Sequence, residues 1–183
     1  MTIWEISEKA DFIADRHRRH QDQWRVYCNS LVQGITLSKA RLHHAMNCAP
    51  EKELSFVLFE HFVVSVSLAS GFNSHTVEYV VETRDGLNKQ CVGSAEMSMN
   101  GFIDGTVNIR DREQVLEHYL EKISPVYDTL YAALESDSPV SLSQLAPAST
   151  GFSRLIIGVS TGVEMTLALH DFAKNDCHLR KTW

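Results

Sequence analysis

Histidines are the residues of this chain whose types and spacing come closest to a chemical site. His17 and His20 stand three residues apart, which places both imidazoles on one side of a helix, where they could ligate a metal ion. Four more histidines could add ligands: His43, His44, His61 and His118. The sequence contains no H-E-x-x-H motif, however, and its four cysteines are scattered without a C-x-x-C pair. We therefore predict no metal site and no cofactor.

Carboxylates are the second candidate for chemistry. Asp104 and Asp111 could form a general acid and base pair, and another could be formed by Glu78 and Glu82. Strand edges and helix caps explain these four acids better. The chain has no G-x-S-x-G nucleophile motif and no glycine-rich phosphate loop. Since catalysis must be argued from specific residues, the sequence predicts that the protein is not an enzyme.

An apolar stripe with the two histidines at its centre runs along the first predicted helix. Its members recur at intervals of three and four residues: Ile3, Ile6, Ala10, Ile13, His17, His20, Trp24, Tyr27 and Leu31. Such a stripe buries itself against another surface, and we expect its two ends to dock on the rest of the domain. The centre differs because three arginines surround the histidines. We predict that a partner protein is contacted there by Arg16, His17, Arg18, Arg19 and His20.

The residues that flank this stripe do not specify pairing of the helix with a second copy of itself. In the heptad frame that begins at Ile3, one flank holds Lys9, Arg16 and Gln23. The other flank holds Ser7, Ala14, Gln21 and Cys28. Complementary charges on the two flanks specify a parallel two-stranded zipper, and they are missing here. The stripe is therefore expected to meet its own domain or a different protein.

A helix-turn-helix at residues 30–46 is the alternative interpretation of the same region. Gly34 is placed to end the first helix near residue 33, and Ser38 to cap a second helix that stops before Pro50. Lys39 and Arg41 on that second helix would face a DNA groove. The fit is partial, because Ala40 and His43 stand where the motif usually has buried aliphatic residues. DNA is therefore a less favoured partner.

Composition narrows the class of protein. The chain has 183 residues and a net charge of -6, so no global positive field draws it onto nucleic acid or anionic lipid. The sequence contains no run of about eighteen apolar residues, so no membrane span is predicted. The scattered cysteines are typical of free thiols in a reducing compartment. We predict a cytoplasmic protein without a membrane partner, and leave its oligomeric state open.

Hydrophobic periodicity predicts an α+β fold. After the first helix, apolar and polar residues alternate through several short segments between residues 54 and 109, with turns at Asp85-Gly86 and Asn100-Gly101. Asp111 then caps a long helix, which Pro125 should kink or split with Ser124 as a new cap. We predict an antiparallel sheet of three to five strands, packed by a long N-terminal and a long C-terminal helix. Residues 1–135 form this domain, and residues 136–183 a linker and C-terminal extension.

Three long stretches of the sequence, residues 1–10, 27–42 and 108–122, resemble the formate hydrogenlyase regulatory proteins of enterobacteria, the HycA-type transcriptional repressors. The resemblance covers about residues 1–145. It implies a cytoplasmic negative regulator of formate hydrogenlyase gene expression that antagonises the formate-responsive transcriptional activator of the hydrogenase operon. It implies no catalytic or cofactor residue.

Two modes of repression follow from this resemblance. The protein could bind the activator through the arginine and histidine centre of the first helix, or bind operator DNA through Lys39 and Arg41. An acidic chain with a poor helix-turn-helix motif favours the first mode.

Overall fold

The computed structural model describes residues 2–47 and 53–145. These described residues form two helices, α1 and α2, and seven strands, followed by a short 3₁₀ helix at Leu142–Leu145. In chain order they are α1 (Ile3–Leu37), β1 (His44–Met46), β2 (Glu53–Leu58), β3 (Phe62–Leu68), β4 (Thr76–Thr83), β5 (Lys89–Glu96), β6 (Phe102–Ile103), β7 (Val107–Asn108) and α2 (Arg112–Glu135). Within the described residues, no helix is both long enough and apolar enough to span a membrane.

The main sheet is a five-stranded antiparallel meander in the order β1-β2-β3-β4-β5. Alternate residues of its strands face the core, as shown by Phe56 on β2, Val64 on β3 and Tyr79 on β4, which are fully buried. The helices supply the other side of the same core through residues such as Leu31 and Ile123. The predicted α+β class is therefore confirmed, with five strands in the sheet.

Local signals at both helix starts are confirmed. The Thr2 side chain accepts a hydrogen bond from the Glu5 N–H at 3.3 Å, while the Glu5 carboxylate accepts from the Thr2 N–H at 2.6 Å. Asp111 caps α2 by accepting from the N–H groups of Glu113 and Gln114. Gly86, in the predicted turn between β4 and β5, has a φ of +71°, a conformation that glycine adopts without strain.

Gly34 does not end α1, and this prediction was wrong. The helix continues to Leu37, and Gly34 lies inside it, buried against the first turn of α2. A Cβ atom at this position would lie 2.8 Å from the carbonyl oxygen of Arg112 and 3.0 Å from the Cβ of Leu116. The glycine is therefore needed for the close approach of two helices and not for a left-handed turn.

The second helix predicted after Ser38 is also wrong. His43 has a positive φ of 52°, and β1 follows directly, paired with β2 so that Ala45 lies opposite Val57. The His44 ring fixes this strand from the other side, with Nε2 3.0 Å from the Tyr119 hydroxyl and Nδ1 3.1 Å from that of Tyr127. The helix-turn-helix at residues 30–46 therefore lacks its recognition helix.

Pro125 does not split α2, so the prediction of a new cap at Ser124 was wrong. The helix runs without interruption from Arg112 to Glu135. Proline lacks the N–H that would bond to the carbonyl four residues earlier. The Ser124 hydroxyl donates to that carbonyl, on Glu121, at 2.9 Å and replaces the missing bond.

The core also contains residues that follow α2. Leu145 is fully buried and Leu142 is 8% exposed, and both belong to the main hydrophobic cluster. Division of the chain near residue 135 stays a prediction, and the part of the predicted extension from residue 146 onward lies outside the described residues.

Candidate interaction surface

The N-terminal half of α1 extends beyond the sheet. Every described residue from 2 to 19 is exposed, and burial on this helix begins at His20. The cause is length: a helix of 35 residues extends about 52 Å at 1.5 Å per residue. Strands of 7 or 8 residues span only about 25 Å. We call residues 2–19 the protruding half of α1.

Large apolar side chains are exposed on the protruding half. Ile3 is 83% exposed, Trp4 80%, Ile6 52%, Phe12 66% and Ile13 50%. The prediction that residues 3–13 dock on the domain was therefore wrong, whereas the predicted docking of Trp24, Tyr27 and Leu31 is confirmed by their burial. Exposed apolar side chains that cluster on a folded domain are typical of interaction sites.

Three arginines stand at the inner end of the protruding half, and all of them are exposed. Arg18 forms an ion pair with Asp15 at 3.2 Å, in which both side chains are largely in solvent. Among the described residues, Arg16 and Arg19 contact no carboxylate within ion-pair distance. Their guanidinium groups are thus available to a partner, and they can offer up to five donors each.

The two histidines of this region occupy different environments. The exposed His17 ring stacks on Phe72, with ring centroids 5.3 Å apart. His20 is only 3% exposed and packs edge-on against His75 with centroids 4.7 Å apart. Burial lowers the pKa of His20, and the neighbouring His75 and His17 lower it further. Of the five predicted contact residues, four are therefore accessible, while His20 holds the base of the protruding half to the domain.

The structure brings no further metal ligands to the histidine pair. His20 Nε2 and His75 Nδ1 are buried without a hydrogen-bond partner among the described residues. A site for zinc needs at least three protein ligands. In the part of the chain that the structure describes, no group of three or more histidine, cysteine, aspartate or glutamate side chains is placed to hold a metal ion.

Lys39 and Arg41, the alternative DNA contacts, are exposed in the connection between α1 and β1. They do not lie on a helix that could enter a major groove. Lys39 and Arg41 follow the C-terminal end of α1, whereas the protruding half lies at its N-terminal end. The two candidate surfaces are therefore separate.

The two aspartates that were considered for acid and base chemistry, Asp104 and Asp111, have structural roles. Asp111 is the cap of α2, and Asp104 links the hairpin of β6 and β7 to that helix. The Asp104 carboxylate accepts from Lys122 Nζ at 2.7 Å and lies 3.1 Å from His118 Nε2. These contacts fix the hairpin against α2.

Partial burial acts to raise the pKa of the Asp104 carboxyl. Hydrogen bonds from Lys122, from the Glu96 N–H and from His118 outweigh this effect and lower the pKa to about 2. An unfolded aspartate has a pKa near 3.9. The stabilising contribution of Asp104 is therefore complete above about pH 4 and is lost as the pH falls toward 2.

We expect Asp104→Asn to lower the free energy of unfolding at pH 7 by roughly 0.5–1 kcal/mol, because the ion pair is partly screened. Asparagine tolerates the positive φ of 47° at this position, so the substitution tests the charge. Urea denaturation of the wild type and the variant should give converging stabilities between pH 4 and pH 2. A difference that stays constant over this range would contradict the account.

Sequence reasoning missed three exposed aromatic side chains on or beside this surface. Trp4 and Phe12 lie outside the heptad stripe. Their large apolar side chains at these positions were the signal in the sequence that could have identified them. Phe72 is 73% exposed, and it was not singled out from the sequence. An aromatic residue within the polar segment Gly71-Phe72-Asn73-Ser74 was the corresponding signal.

The fold is thus an α+β core with a long N-terminal helix whose first half is exposed. A family model described as the transcriptional repressor of the hyc and hyp operons matches residues 1–146. The chain therefore belongs to this family of transcriptional repressors.

Known relatives agree with this assignment. The formate hydrogenlyase regulatory proteins HycA of Escherichia coli K12, Escherichia coli O157:H7 and Shigella flexneri are each 74% identical to the chain over 145 residues. The matched region is 79% of this chain and 95% of each relative. No solved structure matches the chain. The family description names a regulator of transcription.

Proposed function

We propose that this protein represses formate hydrogenlyase gene expression in the cytoplasm by binding the formate-responsive transcriptional activator of the hydrogenase operon. The contact surface is the protruding half of α1, with Arg16, His17, Arg18 and Arg19 at its inner end. The observation that carries the proposal is the exposure of five large apolar side chains on the protruding half of α1.

Charge supports a protein partner over DNA. The chain carries a net charge of -6, and the exposed Lys39 and Arg41 lie outside any helix. Binding to a duplex depends on the neutralisation of phosphates by clustered basic side chains. The protruding half instead combines apolar side chains with arginine, the composition that is enriched where proteins bind one another.

Binding of the purified activator and of operator DNA should be measured side by side with the full chain. We expect a complex with the activator and no specific complex with the operator when the activator is absent. A DNA mobility shift across a salt series provides the second arm, because direct operator binding weakens steeply with salt. Specific operator binding by this protein alone, without binding to the activator, would refute the proposal.

Arg16→Ala with Arg19→Ala should weaken activator binding about thirtyfold, since two arginine contacts of about 1 kcal/mol each are lost. Repression of a hydrogenase operon reporter should fall with it. Thermal stability should stay unchanged because both side chains are exposed and make no ion pair among the described residues.

The matched control is Lys39→Ala with Arg41→Ala, which removes the same amount of charge from the other candidate surface. This variant should repress like the wild type. If the control variant loses repression and the Arg16 and Arg19 variant keeps it, the contact lies near β1 and our assignment of the surface is wrong.

A further inference from the structure

The apolar seam of α1 continues from the core into solvent. On the buried half, Trp24 and Leu31 face the domain. On the protruding half, the same heptad positions are exposed: Ile3, Ile6, Ala10, Ile13 and His17. These exposed positions form a straight seam about 21 Å long, since fourteen residues separate its ends. A seam of this geometry fits the apolar face of another helix.

Phe72 marks the inner end of this seam. Its ring stacks on His17 and projects from the connection between β3 and β4. Beyond this point the seam is covered by the domain itself, beginning with the buried His20. An added helix can therefore occupy the seam from Ile3 to His17, which corresponds to about four turns.

The charges that border the exposed seam are positive on one side and absent on the other. Lys9 and Arg16 border one side, and Ser7 and Ala14 the other. Glu8 lies on the opposite side of the helix, because it is five residues from Ile3 and about half a turn away from the seam. Residues at these bordering positions select the partner of a helix by charge.

A second copy of the chain does not satisfy this arrangement. In an antiparallel pair, residues of the same border face each other, so Lys9 and Arg16 of the two copies would repel. In a parallel pair they would face Ser7 and Ala14, which carry no charge. Both arrangements leave the basic border without an acidic partner.

We propose that the occupant of the seam is an amphipathic helix of another protein, about four turns long, whose own apolar seam is bordered by glutamate or aspartate. The inference rests on the proposed function for the location of the surface, and adds the chemistry of the partner segment. Ser7 and Ala14 are small enough to let the two helices approach, while Lys9 and Arg16 pair with the acids.

Two synthetic peptides of about two heptads, the length of the exposed seam, test this inference with the full chain. Both have leucine at the seam positions, and the bordering positions are all glutamate in one peptide and all lysine in the other. Titration calorimetry at about 0.15 M ionic strength limits the effect to charges within about 8 Å, so that the net charge of -6 of the whole chain contributes little. We expect the glutamate peptide to bind at least tenfold more tightly than the lysine peptide.

Charge reversal then locates the effect. Lys9→Glu with Arg16→Glu should invert the preference between the two peptides. Lys39→Glu with Arg41→Glu is the matched control, since it changes the same residue types and the same total charge, and it should leave the preference unchanged. Thermal unfolding of both variants verifies that each is folded.

Several results would overturn the inference. Equal binding of the two peptides, or binding of neither, would show that the seam does not select an acidic helix. Sedimentation that shows a dimer abolished by Ile13→Glu would assign the seam to a second copy. A cross-link within the free chain from Lys9 to Lys174 or Lys181 would assign it to the chain's own end.

The inference and the proposed function can fail separately. If the activator binds the full chain but neither peptide binds selectively, the proposed function stands and the acidic helix is excluded. If the glutamate peptide binds through Lys9 and Arg16 while the activator does not bind, the seam chemistry stands and its partner is a different protein.

Discussion

Replacing Gly34 with alanine is expected to lower the free energy of unfolding by about 1–3 kcal/mol, the cost of overpacking a closely packed site. Replacing a glycine inside a helix with alanine usually stabilises the protein, because alanine favours the helix by about 1 kcal/mol. At Gly34 we expect the opposite effect. The added Cβ would lie 2.8 Å from the backbone oxygen of Arg112, which cannot rotate away, so α1 and α2 must separate.

Urea denaturation at neutral pH measures this effect. Gln33→Ala is the matched control, since Gln33 is the preceding residue of α1 and is exposed. Its change should stay within about 0.5 kcal/mol, as for most surface substitutions. A Gly34→Ala variant that is as stable as the wild type, or more stable, would contradict the close helix contact.

A second large effect is expected at the buried tyrosine pair Tyr27 and Tyr79. Both residues are fully buried, and their hydroxyl oxygens lie 2.9 Å apart. Burial raises the pKa of both, so both stay protonated at neutral pH. Tyr27→Phe leaves the Tyr79 hydroxyl buried without this partner, and we expect a loss of about 1–3 kcal/mol.

A double-mutant cycle separates this hydrogen bond from packing. The variant that carries both Tyr27→Phe and Tyr79→Phe should lose less stability than the two single losses added together, because no hydroxyl is then left unpaired. Tyr131→Phe is the control, since Tyr131 is 66% exposed and should change stability little. Additive losses within 0.3 kcal/mol or so would exclude the coupling.

Local features of the fold could be predicted from the sequence because the residues that determine them are close in the chain. Thr2 and Glu5 are three residues apart, and the glycine of the turn at Asp85-Gly86 lies within the turn that it permits. The α+β class followed from the change of hydrophobic period between the helices and the strands. Each of these signals acts within one element or one turn.

The strand at residues 44–46 could not be predicted in this way. Ser38 and the residues after it resemble a helix start, but His44 bonds to Tyr119, which is 75 residues away, and β1 pairs with β2. Gly34 is a similar case, because its neighbour Leu116 belongs to α2. Tertiary contacts decide both positions, and local propensity does not contain them.

The location of the exposed surface could not be predicted from the sequence either. The apolar stripe has the same spacing at Ile6 as at Leu31, so periodicity treats both halves of α1 alike. Only the extent of the sheet determines that Ile6 is 52% exposed and Leu31 is fully buried. The contact role of the arginine and histidine centre stays a prediction, and the exposure of the residues on its N-terminal side was not predicted.

Hydrogen exchange of the full chain, with and without the purified activator in the presence of formate, tests the central claim most directly. Amide exchange reports local opening, and helix amides slow when a partner covers and orders them. We predict slower exchange in residues 3–19 on addition of the activator, and unchanged exchange in residues 39–46. Protection confined to residues 39–46 or to the sheet, with none in residues 3–19, would contradict the assignment of the protruding half of α1 as the contact surface.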